Sequence, residues 1–427
     1  MLSAPTAPHR MLGALLVLGG LSLAAADVTW SEHEITSAAY GGADGACSVV
    51  AIDLDGDGDM DVVAGSANDD TAAWYENRNG SQVFRKHVIT SIAAGLRSVF
   101  ATDMDNDGDI DVITGSEDDD TVAWLENDGS QSFTRHEIST DSDKVYSVVA
   151  ADIDGDGDKD VVVGSAGDDT VAWFENDGSQ SFTRNVIYDD ADDVRAVAAS
   201  DFDGDGDMDV LVASQRDHTV AWFENDGSQS FTRHVISDLD KSSPYTLFVA
   251  DLDSDGDMDV VVGTAGDDTV AWFENDGSQS FTRNVLTTFA DAIRSVFVAD
   301  IDGDGDMDVV SSSENDWTVS WFENDGAQSF TENVISNEVY YANGVFVADI
   351  DGDGAMDVVS AAYGEDKIRW FENECTTCVA PTAAPTTSTA PTAAPTSWLE
   401  MTSGAARASA SVVGAALAAA ACALAVV

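Results

Sequence analysis

The feature that most constrains this 427-residue chain is repetition. The phrase Asp-x-Asp-x-Asp-Gly-x-x-Asp begins at Asp53, Asp103, Asp152, Asp201, Asp251, Asp300 and Asp349, at intervals of 49 or 50 residues. A tryptophan keeps the same beat at Trp74, Trp124, Trp173, Trp222, Trp272, Trp321 and Trp370. Self-similarity at this period marks a supersecondary unit that cannot bury its apolar face alone and must stack on copies of itself. The chain therefore folds as a propeller or an open array.

The third unit shows which. Tyr146 to Asp152 is an apolar run suited to a buried inner strand, followed by the Asp-rich loop. Asp160 to Gly164, Thr170 to Glu175 and Ser181 to Ile187 read as three further strands, the last alternating in character as an edge does. Asn176-Asp177-Gly178 supplies hairpin-turn chemistry between the third and fourth. No sustained helical period occurs over 28–373. Four strands per unit and seven units predict an all-β, seven-bladed propeller. The last unit lacks its own fourth strand, whereas Val28 to Ile35 resembles the fourth strand Ser132 to Ile138. The N-terminal strand is thus expected to complete the last blade, with contacts between 28–35 and 367–373, and to remove the edges an open array would expose.

The Asp-rich loops have the arrangement of a hard-cation site. Calcium takes six to eight oxygen ligands in a flexible cage, and alternate residues of a tight loop can aim their carboxylates at one point. Positions one, three, five and nine are assigned side-chain ligation and position seven ligation through its carbonyl. These are Asp53, Asp55, Asp57, Asp59 and Asp61 in the first loop and Asp103, Asp105, Asp107, Asp109 and Asp111 in the second. The third has Asp152, Asp154, Asp156, Asp158 and Asp160; the fourth Asp201, Asp203, Asp205, Asp207 and Asp209. The fifth has Asp251, Asp253, Asp255, Asp257 and Asp259; the sixth Asp300, Asp302, Asp304, Asp306 and Asp308. The seventh has Asp349, Asp351, Asp353, Ala355 and Asp357. Ala355 is tolerable if only the carbonyl of that position ligates. Up to seven structural Ca2+ ions are expected, since four carboxylates in nine residues repel one another without a cation.

The Asp motif after an inner strand, the seven units and the Trp-Phe-Glu-Asn-Asp-Gly phrase resemble the FG-GAP/VCBS repeat family, which supplies the propeller of integrin alpha subunits. The resemblance spans about 28–373. It implies calcium sites on one face, between first and second strands, and ligand binding on the opposite face. It carries no catalytic residue over, and the repeats lack the Phe-Gly-Gly-Ala-Pro type phrases of true integrins.

Individuality lies where the repeat breaks. The loop between second and third strands usually ends Asp-Asp-Thr, but the fourth unit has Arg216-Asp217-His218-Thr219 and the sixth Asn315-Asp316-Trp317-Thr318. Trp317, Tyr340, Tyr341, Tyr363 and Tyr40 fall on blades 6, 7 and 1, and the family geometry places them on the ligand face, where exposed aromatics beside carboxylates and amides suit a sugar or a protein partner. The inner strands open with Cys47, Arg97, Tyr146, Arg195, Tyr245, Arg294 and Asn343, and the arginines are expected to pair with nearby acids. His33, His87, His136 and His234 share one repeat position with Asn185, Asn284 and Asn333, which reads as a polar surface position, and no nucleophile–base pair stands out. A bridge from Cys47 to Cys375 or Cys378 would staple the ring closure. Asn79 opens an N-glycosylation sequon.

Composition settles the partner class. With 18 Lys+Arg against 79 Asp+Glu and a net charge of -61, the chain repels nucleic acid. Residues 1–26 read as a signal peptide and 27–378 as the propeller. Residues 379–402 read as a Pro/Thr/Ala-rich stalk, and 403–427 as a GPI-anchor signal or a single tail helix. The expectation is a monomeric, non-enzymatic, cell-surface propeller that recognises an extracellular glycan or protein and is held to the membrane by a lipid or tail helix. The alternative is an extracellular hydrolase or lyase acting on polysaccharide or lipid from the same scaffold.

Overall fold

A computed structural model describes residues 28–36, 42–78, 83–239, 242–375 and 378. The signal peptide, stalk and tail readings, together with Tyr40 and Asn79, lie outside these described residues. Among the described residues twenty-eight strands, β1–β28 in chain order, form seven separate four-stranded antiparallel sheets. Each of the first six blades takes four consecutive strands. In the third, Val145–Ala151, Asp160–Ser165, Thr170–Asn176 and Phe182–Tyr188 run from the axis outward.

The seventh blade is composite. Ala342–Ala348 (β26), Asp357–Ala362 (β27) and Lys367–Asn373 (β28) are joined by Trp30–Glu34 (β1), with Trp30 opposite Asn373 and Glu34 opposite Arg369. The closure predicted from the N-terminal strand is therefore present. Its register is that of the other blades: His33 lies opposite Trp370 as His87 lies opposite Trp74. The shared histidine position has a structural role. His33 stacks on Trp370 with centroids 4.4 Å apart and its Nε2 lies 2.7 Å from Glu372. His87, His136 and His234 repeat both contacts.

Inner strands are nearly continuous buried runs, because blades pack face to face on both sides of them, while outer strands alternate half-buried and exposed. The third-strand tryptophans fill the space between sheets, and Trp124, Trp222, Trp272 and Trp370 are among the largest fully buried side chains. Hydrogen bonds tie blade to blade. The Ser48, Ser98 and Ser147 hydroxyls accept the N–H of Val99, Val148 and Val197 on the next blade, at 3.2, 3.2 and 3.0 Å. Asn77 Nδ2 donates to the carbonyl of Ile350 at 2.9 Å, joining the first blade to the seventh.

One expectation fails. Cys375 and Cys378 are bonded to each other, not to Cys47. Consecutive strands alternate direction, so Cys47, at the start of an inner strand, sits on the opposite face from the end of β28, where Cys375 lies. The buried Cys47 thiol instead donates to the Leu96 carbonyl at 3.1 Å. The disulfide also accounts for the one position-seven residue that is not aspartate. Ala355 is buried against Cys375 and Cys378, where blades 2 to 6 carry an Asn-Asp-Gly turn and an aspartate.

Candidate functional site

Strand alternation puts two kinds of loop on opposite faces. One face carries the Asp-rich loops between first and second strands and the turns between third and fourth. The other carries the loops between second and third strands and those entering each inner strand.

The Asp-rich loops are built from the backbone outward. Position four has left-handed φ, which Gly56 (74°), Asn106 (60°) and Ser254 (62°) all adopt, and position six is Gly near 100° throughout, as at Gly58 (99°). The resulting turn gathers the carboxylates. Oxygens of Asp53, Asp55 and Asp57 lie within 4.8 Å of one another, as do those of Asp201, Asp203 and Asp205, and of Asp251, Asp253 and Asp255. In the second and third loops the converging trios are Asp103, Asp105 and Asp111, and Asp152, Asp154 and Asp160. Positions one and three thus converge in all five of these loops, joined by position five in three and by position nine in two.

Position nine also anchors the loop. Asp61 is fully buried, and its two oxygens accept the N–H of Asn77 at 2.7 Å and of Leu54 at 3.2 Å. Burial pushes its carboxyl up to about 7, against those two bonds and the Trp74 indole N–H, which hold it down. Desolvation raises Asp111, Asp160, Asp209 and Asp259 to about 7 as well, and Asp308 and Asp357 to about 8. Asp53, Asp55, Asp105, Asp154, Asp203, Asp251, Asp253, Asp300, Asp302, Asp349 and Asp351 are raised too, first by burial and then in part by neighbouring carboxylates.

The donor set fits a hard divalent cation. Asp53 Oδ1, Asp201 Oδ1 and Asp302 Oδ2 are buried acceptors with no hydrogen-bond donor. A carboxylate oxygen only accepts, so each such atom is open to a donor or a cation, and a hard divalent cation is compatible with it. Position seven points elsewhere: the carboxylates of Asp109, Asp158, Asp207, Asp257 and Asp306 lie against the glycines of the Asn-Asp-Gly turns, leaving only their carbonyls for the loop centre.

On the opposite face the aromatic residues divide. Trp317 and Tyr340 stack, with centroids 4.3 Å apart and planes 22° apart. Both stay exposed, at 37% and 44%, and neighbouring Tyr341 at 45%. Trp317 N–H groups aside, its carbonyl accepts Val339 N at 3.0 Å, which fastens the blade 6 loop to the blade 7 loop. Trp317 holds φ 62° where blades 3 and 5 place Asp169 and Asp268, and Tyr341 holds 51°. Bulky residues in left-handed backbone carry strain of about 1–3 kcal/mol, and such strain gathers at functional sites. Gly364 lets the Tyr341 ring approach, because a Cβ there would overlap the ring. Tyr363 turns away from this group and donates its hydroxyl to Asn68 Oδ1 of blade 1 at 2.9 Å.

Sequence reading missed Phe289, at 85% the most exposed large apolar side chain among the described residues. Its loop is tied to that of Trp317 by Asn315 N to Asp291 O at 3.2 Å and by Asp291 N to Asp316 Oδ2 at 3.3 Å. Its signal was an apolar residue at a position where blades 3, 4 and 7 carry Asp141, Asp190 and Glu338, and which blade 2 shares through the exposed Ile92.

Near the axis on this face, arginine and tyrosine alternate. The Arg195 guanidinium lies 4.1 Å from the Tyr146 ring centre, and that of Arg294 lies 4.4 Å from that of Tyr245. The arginines meet acids as expected, Arg97 Nε with Glu117 at 2.7 Å and Arg294 Nε with Glu314 at 2.7 Å. Burial disfavours the ionised form of Glu117, but Arg97, the Tyr146 hydroxyl and Lys144 outweigh it and hold the carboxyl below its ordinary value.

Comparison with known proteins agrees with this architecture. The fold is similar to that of an Agrocybe aegerita lectin described as specifically recognising non-reducing terminal N-acetylglucosamine, with a TM-score of 0.52 and 20% identity over 77% of this chain and 86% of that one. A Lactobacillus plantarum protein aligns with a TM-score of 0.48 at 12% identity, over 64% of this chain and 80% of that one. A functionally unknown protein from Desulfotomaculum acetoxidans aligns at 0.49 and 12%, over 70% and 88%. No curated protein matches the chain. The FG-GAP-like repeat model matches six times, at 53–114, 103–163, 152–212, 201–262, 251–311 and 300–360, and with a ring of seven blades around those repeats the chain belongs to the FG-GAP-like repeat family.

Proposed function

We propose that this protein is a calcium-stabilised recognition propeller of the cell surface that binds an extracellular glycan or protein through its aromatic face. The observation that carries the reading is the Trp317–Tyr340 stack, exposed beside Tyr341 and held in strained backbone on the face away from the Asp-rich loops. Rigid, exposed rings supply apolar area at low entropic cost and suit the faces of sugars or an apolar patch of a partner. Calcium in the loops neutralises carboxylates and links first to second strands. The ligands are positions one, three, five and nine with the carbonyl of position seven, as in Asp152, Asp154, Asp156, Asp160 and Asp158. Orphaned acceptors such as Asp53 Oδ1 support this assignment. The ions act on the scaffold, and the binding surface is on the other face.

Glycans are the first class to probe, since the similar Agrocybe aegerita protein is a lectin. The test is a glycan array with recombinant residues 27–378, in calcium and in EDTA. Binding that is lost in EDTA and lost in Trp317→Ala supports the reading. Binding that survives Trp317→Ala and Tyr341→Ala overturns the aromatic face as the site. Silence in both buffers turns the search to a cell-surface protein partner, by pull-down with the same segment.

A further inference from the structure

The seven Asp-rich loops are not equally open to solvent. Beside Gly56, Gly155, Gly204 and Gly352, at position four of their loops, the space is empty. Beside Gly303, the same position in blade 6, lies the backbone of Cys378. A Cβ on Gly303 would stand 2.8 Å from the Cys378 carbonyl carbon and 3.2 Å from its oxygen. The preceding residue is also unlike its sisters. Asp302 is 3% exposed, whereas the position-three aspartates of the other six blades are half-buried or exposed.

Blade 5 shows what has changed. Asp253 Oδ1 accepts the N–H of Asp255 at 3.2 Å, and Asp302 Oδ1 accepts that of Asp304 at 3.2 Å, so the two side chains are set alike. Their second oxygens differ. Asp253 Oδ2 accepts Gln328 Nε2, from the turn of the next blade, at 3.1 Å. The blade after the sixth is the seventh, where the cysteine pair stands in place of that turn, and Asp302 Oδ2 is buried with no donor. The surroundings are apolar as well. Cys375, Cys378, Ala355 and Val28 pack together, and Val28 also packs against the cluster that holds Ile301.

We infer that the Cys375–Cys378 disulfide is a clasp over the sixth cation site and makes it the one slowly exchanging calcium site of the seven. The inference rests on the calcium reading above and adds a rank order among loops that look identical in the repeat. An ion held by Asp300, Asp302, Asp304 and Asp308 leaves by trading carboxylates for water. Enclosure keeps that water out, and the lower local dielectric strengthens the attraction between ion and carboxylates. Release then requires Cys378 to move off Gly303. Cys378 is tethered through the disulfide to Cys375. Cys375 N–H donates to Asn373 Oδ1 at 3.1 Å, and Glu374 N–H to the Thr29 carbonyl at 2.9 Å, so the tether ends on the closed edge of the ring. Reduction removes the tether and restores to Cys378 the freedom of the chain that follows it.

Exchange of radiolabelled calcium on residues 27–402, which hold every strand of the ring and chain on both sides of Cys378, tests the clasp. The loaded protein is chased with excess unlabelled calcium, and the retained label is counted after rapid desalting. The expected result is a fast majority and one ion per chain released at least about tenfold more slowly. A phosphine reductant in the same calcium buffer moves that ion into the fast class, while emission from the buried tryptophans stays that of the folded ring. Asp302→Asn loses the slow ion. Asp253→Asn loses one fast ion and keeps the slow one. A single rate for all ions, a slow ion that survives reduction, or a slow ion that survives Asp302→Asn overturns the clasp and leaves calcium in the loops. A red shift of the emission on reduction, with the fast ions lost too, also overturns it, because the disulfide would then hold the ring and not the site. Absence of bound calcium in every arm removes the calcium reading, and the clasp with it.

Discussion

Single residues in the Asp-rich loops are not equivalent, although they look so in the repeat. Asp152 accepts the N–H of Gly155 at 2.8 Å and of Gly157 at 3.0 Å, and joins Asp154 and Asp160 in one cluster of oxygens. Asp158 turns its carboxylate toward Gly178. Asp152→Ala therefore removes about one calcium from the total measured by equilibrium dialysis. Asp158→Ala leaves the total unchanged, because its carbonyl survives and Ala355 already occupies that position in blade 7. A different residue-scale outcome is expected at Glu117. Its side chain and that of Arg97 are 12% and 9% exposed, and breaking such a buried pair costs about 3 kcal/mol. Because the folded carboxyl is held below its ordinary value, its stabilisation is complete above that value and is lost as pH falls through the folded one. Chemical denaturation should show Glu117→Gln less stable than the parent by a constant margin from neutral to mildly acidic pH, with the margin closing in stronger acid. A margin that widens in acid contradicts the pairing.

At the scale of strands and loops, closure by β1 is the contact on which the ring depends. Trp370 is covered by His33, and the edge of β28 is paired along Trp30–Glu34. Deleting residues 27–36 leaves β28 as an open edge beside an uncovered indole. Size-exclusion chromatography should then show dimers and larger species, since open edges recruit other chains. The strands, their order and this closure were legible in the sequence, because a seven-fold repeat averages away local noise and the Val28–Ile35 segment matches another unit's outer strand. The place of the Asp-rich loops between first and second strands was legible for the same reason. What repetition cannot encode is what happens where units differ. Tyr363 matched the exposed aromatics in residue type, yet its hydroxyl is spent on Asn68. Phe289 carried no motif, and its exposure follows from a loop path fixed by backbone bonds to blade 6. The disulfide was misassigned because the faces on which Cys47 and Cys375 end depend on strand direction, which spacing along the chain does not weigh.

Over the whole molecule, charge and topology bear on each other. A net charge of -61 acts against compactness, and 34 of the 79 Asp and Glu residues sit in seven loops on one face of the ring. Each loop that binds calcium removes local repulsion and fastens two strands of a different blade, so the sites stabilise the ring in parallel. With free calcium at about ten times Kd, mass action gives about 1.4 kcal/mol per site, and seven comparable sites give about 10 kcal/mol, as large as the whole stability of many domains. Thermal melts in EDTA should therefore fall well below those in millimolar calcium, and more so at low ionic strength, where the acidic face is unscreened. Sodium chloride should restore part of the loss by screening. Magnesium should restore less than calcium, because it holds its waters and demands a stricter octahedron than a flexible aspartate loop provides. Equal rescue by calcium, magnesium and sodium would assign the whole effect to screening and leave the loops without a cation-binding role.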